Sequence, residues 1–241
     1  MSDAALLLKT LPSAEAQAAS THQGAIQQHG WSPYNVNEGT VMAVAGKDYV
    51  IVAGDTRMSD GYSILSRDVS KLFKLTSKTV LASAGMQADA VTLRKVLAWK
   101  IIMYRHKHNK DMSTTAIAQL LGNTLYYKRF FPYYCFNVLA GLDADGAGAV
   151  FGYDAIGSFE RIPYGVTGSG SALITSILDN QVAFKTQLKN KKDLSAEECI
   201  DLVKDVMTSA GERDIYTGDS VDILLITKDG IKEEKFQLKK D

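Results

Sequence analysis

The sequence predicts an α+β protein in which two stacked, mainly antiparallel β-sheets are flanked by helix pairs, a four-layer αββα sandwich. The first observation is the order of segments, because strand-like runs and pairs of helical stretches alternate along the chain. The second is that short turn signals join neighbouring strand-like runs, which is typical of antiparallel hairpins. The third is a length of 241 residues with 46% hydrophobic content, which suffices for a substantial core.

The first half of the regular region contains two strand pairs and two helices. Apolar and alternating runs predict strands at residues 40–45, 49–55, 72–75 and 79–84. The triplet Gly46-Lys47-Asp48 predicts the turn between the first two of these strands. Apolar residues at helical spacing predict helices from residue 88 to about residue 107 and from residue 114 to about residue 128. Ser113-Thr114 is a capping signal for the second helix.

The second half repeats this order and ends in a hairpin. Strands are predicted at residues 135–142, 148–153, 157–162, 221–227 and 233–238. The turn Asp143-Ala144-Asp145-Gly146 is a strong hairpin signal. Helices are predicted at residues 171–181 and 195–209, and the second begins with a capping box, Ser195-Ala196-Glu197-Glu198.

Composition argues against several functional classes. A net charge of +0 and scattered basic residues argue against nucleic-acid and membrane-surface partners. No window has the length of a transmembrane span, and the first residues do not resemble a secretory signal. Cys135 and Cys199 lie in apolar runs, which favours buried thiols in a reducing compartment over a disulfide. The four histidines form no ligand set with them, so we expect neither a metal nor a cofactor.

The first 38 residues differ in composition from the rest. They are rich in Ala, Gln, Ser and His and poor in long apolar runs. We interpret residues 1–38 as a pro-segment or an extended N-terminal arm, with a disordered tail as the alternative. Residues 39–241 are then the folded domain.

Three motifs follow one another at the start of that domain: Gly39-Thr40 before a strand, Gly54-Asp55-Thr56-Arg57 after the next strand, and an isolated Lys71. Together they resemble the front end of the proteasome beta-type subunits, which are N-terminal-nucleophile hydrolases. The resemblance implies the sandwich fold of that class. In active members it also implies a threonine nucleophile, exposed by self-cleavage after glycine, with a buried Asp and Lys behind it.

The spacing places glycine in the nucleophile position of this chain. The resemblance implies a threonine sixteen positions before the Asp, and that position holds Gly39, whereas Thr40 is fifteen positions away. Lys71 lies sixteen positions after Asp55, as the family spacing requires. A shift of one residue on a strand sends a side chain to the opposite face. Thr40 is therefore expected to point away from Asp55 and Lys71, unless a bulge redirects it.

The resemblance extends to further polar positions. Gly85 matches the glycine whose backbone N–H faces the oxyanion, and Ser169 and Asp214 match supporting polar residues. Thr217 stands where active members usually carry serine. These residues also have a structural interpretation, because a buried Asp–Lys pair is costly to break from one side and is retained as scaffold when catalysis is lost. We predict no catalytic residue and an inactive subunit of a threonine-type endopeptidase complex.

An aromatic block narrows the resemblance to one position in the complex. Residues 126–134 read Tyr-Tyr-Lys-Arg-Phe-Phe-Pro-Tyr-Tyr, either core packing or an anchor in a subunit interface. With the motifs above, this block makes the chain resemble the subunit at the sixth beta position of the eukaryotic 20S proteasome core, which is non-catalytic. The resemblance implies other beta and alpha subunits in a stacked-ring barrel as partners, with assembly chaperones as a further class. It also implies a place in cytoplasm and nucleus.

Two alternatives remain at this point. The first is an active threonine endopeptidase, which requires processing between Gly39 and Thr40 and a bulge that redirects Thr40. The second is a stand-alone hydrolase of small amides on the same sandwich, which the aromatic block and the missing nucleophile disfavour.

Overall fold

The computed structural model describes residues 31–185 and 192–241. The chain divides into two units, residues 1–33 and residues 34–241, and the fold is that of the second. Most of the predicted N-terminal arm, residues 1–30, lies outside the described residues.

Twelve strands form two five-stranded sheets and one small hairpin in the described part of the chain. Their bounds are β1 Thr40–Ala45, β2 Tyr49–Asp55, β3 Met58–Asp60, β4 Ser63–Ser66, β5 Leu72–Lys74, β6 Thr79–Gly85, β7 Cys135–Leu142, β8 Gly148–Tyr153, β9 Phe159–Ile162, β10 Tyr164–Gly168, β11 Ser220–Thr227 and β12 Gly230–Gln237. The first sheet has the order β10-β1-β2-β11-β12 and the second β5-β6-β7-β8-β9. All their pairings are antiparallel.

Four helices are described: α1 Gln87–His108, α2 Thr114–Tyr126, α3 Ser171–Gln181 and α4 Ala196–Gly211. Two of them begin at predicted caps. The Ser113 hydroxyl accepts from the Ala116 N–H at the start of α2. At the start of α4, Ser195 and Glu198 form both bonds of a capping box. None of these helices combines the length and apolar character that crossing a bilayer would need.

Three buried clusters show the four layers. The cluster between the sheets contains residues of both, such as Val41 and Val52 of the first and Val80 and Val138 of the second. A second cluster joins the other face of the first sheet to α3 and α4. A third joins the outer face of the second sheet to α1 and α2. Strands of both sheets are buried on two faces, so they read as apolar runs in the sequence. The predicted αββα fold is confirmed.

The element predictions fail mainly at short or exposed strands. Strands β3 and β4 were not predicted, because β4 is largely exposed and has no buried face to impose an apolar pattern. Strand β10, directly after Pro163, was also missed. The strand predicted to begin at residue 157 begins at Phe159, because Asp154 accepts N–H bonds from Ile156 and Ser158 and extends the turn. The last strand begins at Gly230 rather than residue 233.

Candidate functional site

The predicted site residues lie together where the two sheets end. Asp55 is the last residue of β2, and Gly85 is the last residue of β6. Gly39 immediately precedes β1, Lys71 immediately precedes β5, and Ser169 immediately follows β10. Gly39 joins three of them, because it lies against Asp55 and Lys71 and its carbonyl accepts from the Ser169 N–H at 3.1 Å.

Gly39 occupies the position that faces Lys71. Its φ is +88°, and a Cβ built on it would lie 2.2 Å from Cε and 2.5 Å from Nζ of Lys71. The same Cβ would lie 2.9 Å from Asp55 Oδ1. The lysine side chain therefore fills the space that a side chain at residue 39 would need. The residue in contact with the Asp–Lys pair is thus glycine, the residue that the spacing places there.

Asp55 and Lys71 form a buried ion pair. Lys71 Nζ lies 3.0 Å from Asp55 Oδ1 and also donates to the backbone carbonyls of Asp55, at 3.1 Å, and of Arg57, at 2.5 Å. Burial raises the pKa of the Asp55 carboxyl, against the lowering effect of the Lys71 ammonium and of the Thr40 and Arg57 N–H groups. The Lys71 ammonium and the Thr40 and Arg57 N–H groups are all hydrogen-bond donors to the Asp55 carboxyl. The geometry is thus built for a carboxylate, because a protonated acid would have no acceptor among them.

Thr40 meets this pair through its backbone, while its side chain points elsewhere. Its amide N–H donates to Asp55 Oδ1 at 2.8 Å. Its hydroxyl accepts from the Gly170 N–H at 2.8 Å and lies 2.7 Å from the Thr217 hydroxyl. Strand β1 pairs with β2 and β10 in continuous register, without a bulge. The one-residue offset therefore places the Thr40 hydroxyl away from Lys71, as the spacing predicts.

Thr217, Asp214 and Ser169 continue the hydrogen-bond chain from Thr40. The Thr217 hydroxyl donates to Asp214 Oδ2 at 2.6 Å, and the Ser169 hydroxyl donates to the same oxygen at 2.6 Å. A hydroxyl has one proton, so Thr217 accepts from Thr40 rather than donating to it. The order of donors runs from Gly170 through Thr40 and Thr217 to the Asp214 carboxylate. The hydroxyls of Thr40, Thr217 and Ser169 therefore all form hydrogen bonds within the protein.

Gly85 has a geometry that only glycine accepts. Its φ is +108°, and a Cβ there would lie 2.7 Å from the Tyr134 carbonyl oxygen. Its own carbonyl accepts from the Asn37 N–H at 3.1 Å. The predicted role of the Gly85 N–H toward an oxyanion stays a prediction.

A second buried ion pair borders the site and was not predicted. Arg57 Nε donates to Asp219 Oδ2 at 2.8 Å, and Arg57 Nη2 donates to Asp241 Oδ1 at 3.2 Å. Burial by itself would raise the pKa of the Asp219 carboxyl. The hydrogen bonds from Arg57 and Arg67 outweigh burial, so this pKa is lowered. Asp219 has a φ of +68°. The sequence signal was the Gly218-Asp219 pair, typical of a left-handed turn, but the partner lies 162 residues away.

The two cysteines and the acidic residues show no metal chemistry in the described ranges. Cys135 and Cys199 are buried free thiols, as the sequence predicts. Burial raises the pKa of Cys135 to about 12 and that of Cys199 to about 11. Within residues 31–185 and 192–241, no group of three or more His, Cys, Asp or Glu side chains could hold a metal ion.

Comparison with known proteins decides the family. The sequence profile described as "Proteasome subunit" matches residues 15–226. The chain belongs to the proteasome subunit family. It is 56% identical over 220 residues to "Proteasome subunit beta type-1" of Arabidopsis thaliana. The match covers 89% of this chain and 99% of the Arabidopsis protein. It is 52% identical over 239 residues to the protein of the same name from Dictyostelium discoideum, with 98% and 99% covered.

A third relative also carries the name of a beta-type subunit. "Proteasome subunit beta type-6" of Saccharomyces cerevisiae is 42% identical over 224 residues, with 89% of this chain and 93% of that one covered. The names of these relatives confirm the predicted resemblance to a proteasome beta-type subunit.

In this proteasome subunit the aromatic block divides between two environments. Tyr133 is buried against α1 and α2 in the core of the outer layer. Tyr127 and Phe130 are 91% and 96% exposed. The core-packing interpretation holds for Tyr133, and the interface role of the exposed residues stays a prediction.

Proposed function

We propose that this chain is a non-catalytic beta subunit of the 20S proteasome core. It completes a beta ring, walls the proteolytic chamber, and so contributes to ATP- and ubiquitin-dependent degradation by the complex. The partners are the other beta subunits and the alpha subunits of a stacked-ring barrel, with assembly chaperones as transient partners. The location that follows from this role is the cytoplasm and the nucleus.

One observation carries the proposal: the residue that faces Lys71 is a glycine without space for a side chain. Nucleophilic catalysis requires a hydroxyl within hydrogen-bond reach of its base. Here Gly39 faces Lys71, and the next residue, Thr40, uses its hydroxyl to join Gly170 to Thr217. The Thr40 amide is also an internal peptide N–H bound to Asp55. A free α-amine at Thr40 would require cleavage of the Gly39–Thr40 bond.

The role of the Asp55–Lys71 pair in this proposal is structural. A buried pair that loses one partner leaves an uncompensated charge, which costs about 3–5 kcal/mol. The pair also fixes the end of β2, because Lys71 binds two backbone carbonyls there. Asp55, Lys71, Gly85, Ser169 and Asp214 thus form a vestigial constellation that stabilises the end of the sandwich.

The test is the mass and the N-terminal residue of this chain in the assembled particle after treatment with a peptide epoxyketone. This reagent reacts with both the hydroxyl and the free amine of an N-terminal threonine, and the active subunits of the same particle are the positive control. We expect an unlabelled chain whose N-terminus lies upstream of Gly39. A chain that begins at Thr40 and carries the reagent would establish the alternative, an active threonine endopeptidase.

A further inference from the structure

Residues 182–185, here called the plug, follow α3 and turn back on its end. The Ala183 N–H donates to the Leu178 carbonyl at 3.1 Å, and the Lys185 N–H donates to the Asp179 carbonyl at 2.9 Å. Between these two bonds, Phe184 has a φ of 50°. This left-handed conformation costs free energy for any residue that has a Cβ, and bulky side chains rarely adopt it. The plug therefore has a shape that its surroundings impose on it.

Three side chains, Tyr164, Asp179 and Lys185, hold the plug and are here called the clasp. Lys185 Nζ donates to Asp179 Oδ1 at 2.8 Å, and the Tyr164 hydroxyl donates to the same oxygen. Lys185 Nζ also lies 5.9 Å from the centroid of the Tyr164 ring, within the range of a cation–π contact. The hydrogen bonds from Lys185 and Tyr164 lower the pKa of the Asp179 carboxyl. The residue that follows Phe184 is thus tied to both α3 and β10.

Phe184 lines a cavity at the end of β1 that lies opposite to Thr40. The cavity has a volume of about 390 Å³. Its walls include Val44, Ala45, Pro163, Phe184, Leu194 and Cys199. Cys199 is 0% exposed, and burial raises the pKa of its thiol to about 11. A buried thiol with a raised pKa is unreactive. The strained residue and the unreactive thiol therefore share one cavity.

We propose that the clasp holds Phe184 against this cavity, and that opening of the clasp gives solvent and thiol reagents access to Cys199. The backbone strain at Phe184 favours release, and the charged hydrogen bonds to Asp179 oppose it. Opening of four residues at a helix end exposes little of the core, so it requires less free energy than global unfolding. The device sets whether Cys199 is inert or reactive, and it does so whether or not the chain is catalytic.

The experiment measures thiol labelling in assembled particles that carry Lys185→Met. The particles are treated with N-ethylmaleimide under native conditions, and peptide mass spectrometry gives the labelling rate of each cysteine. Cys135, a buried free thiol in the second sheet, is the internal control. Lys74→Met is the matched control variant, because Lys74 also has a partly exposed side chain in a single ion pair, with Glu233.

We expect Cys199 to be labelled about tenfold or more faster in Lys185→Met, because a charged hydrogen bond no longer opposes opening. Cys135 is expected to keep its rate in that variant, and both cysteines are expected to keep theirs in Lys74→Met. An unchanged rate at Cys199 overturns the clasp. An equal rise at both cysteines overturns it as well, because the whole chain is then loosened.

A second pair of variants tests whether the clasp acts through Phe184. Phe184→Gly removes the ring and the backbone strain together, because glycine accepts a positive φ. We expect fast labelling of Cys199 in this variant and no further rise when Lys185→Met is added to it. Two independent rises that multiply would contradict the role of Phe184. If Lys185→Met particles fail to assemble, Tyr164→Phe removes only the hydroxyl bond to Asp179 and is expected to give a smaller rise; no rise in that variant overturns the proposal.

Discussion

Two buried ion pairs diverge from one strand end, and they differ in how many partners each charge has. Asp55 pairs inward with Lys71, and the two side chains are 0% and 5% exposed. Arg57, two residues later, pairs with Asp219, whose other oxygen binds the half-exposed Arg67. Arg57 also reaches Asp241, a second carboxylate near the surface.

This difference indicates which ion pair can lose one of its partners with the smaller loss of stability. Lys71 is the one cation within ion-pair distance of Asp55 in the described ranges. Arg57 has two carboxylates and the Ile215 carbonyl as acceptors. Loss of one partner therefore leaves a charge with no counter-ion in the first pair, whereas Arg57 in the second pair keeps another carboxylate. The first pair is therefore expected to be the more sensitive of the two to the loss of one partner.

Replacement of Lys71 by Met is expected to have the largest effect. It leaves the Asp55 carboxylate buried without its cation, which costs about 3–5 kcal/mol. Urea unfolding of the purified chain measures the loss. The double variant Lys71→Met, Asp55→Asn removes both charges and is expected to lose less than the sum of the two single variants. Additive losses would show that the two groups do not depend on each other.

Replacement of Gly39 by Ala tests the space beside the first pair. The new Cβ meets the end of Lys71 and adopts a positive φ, so we expect a loss of about 2–4 kcal/mol. Gly146→Ala is the matched control, because Gly146 has a φ of +80° and nothing within 4 Å of its Cβ position. The control is expected to lose only about 1–2 kcal/mol of backbone strain. Equal losses would mean that Lys71 yields without cost.

Replacement of Asp219 by Asn tests the second pair, with an expected loss of about 1.5–3 kcal/mol at neutral pH. Because the folded state lowers the pKa of Asp219 below its usual 3.8, its stabilisation is complete above that pH and is lost as the pH falls through the lowered value. The stability difference between wild type and variant should therefore shrink below pH 3.8. Asp241→Asn at the half-exposed end is expected to cost less than about 1 kcal/mol. A difference that persists at low pH argues against the charge as its source.

Replacement of Thr217 by Val gives the smallest expected effect and tests the Thr40 side of the site. It leaves the Thr40 hydroxyl without an acceptor and Asp214 with one donor fewer, for a loss of about 1–2 kcal/mol. Thr217→Ser keeps the hydroxyl and is expected to lose less than about 1 kcal/mol. The unfolding midpoints of the two variants give the comparison. If Ser and Val behave alike, the hydrogen-bond chain contributes nothing to stability.

Local signals in the sequence predicted most of the fold. Strands β1, β2, β7 and β8 and helix α3 have the predicted bounds, because their apolar runs are long and their ends carry turn or cap residues. Strands β3 and β4 escaped because one short exposed hairpin carries little apolar pattern. Helix α2 ends at Tyr126, before the predicted residue 128, since the chain turns there through bonds such as Lys128 N–H to Leu125 C=O.

Candidate site residues were predicted by spacing and family resemblance, but their connections were not. The positions of Gly39, Asp55 and Lys71 follow from counting along the chain. Counting along the chain could not supply the partners of Asn37 or of Asp219, because each partner lies in a remote segment. Hydrogen bonds across 162 residues leave no periodicity for a sequence pattern to show.

By itself, the sequence determined the order of the longer elements, the glycine in the position opposite the Asp–Lys pair, and the resemblance to the family. These features depend on the spacing of residues along the chain and on the lack of a side chain at Gly39, and both can be read from the sequence. Only the tertiary structure decided that Lys71 fills the space beside Gly39, that the Thr40 hydroxyl holds Thr217, and that the Asn37 N–H donates to the Gly85 carbonyl. The physical reason is that such contacts arise where strand ends from distant segments meet, and their geometry exists only after both sheets have packed.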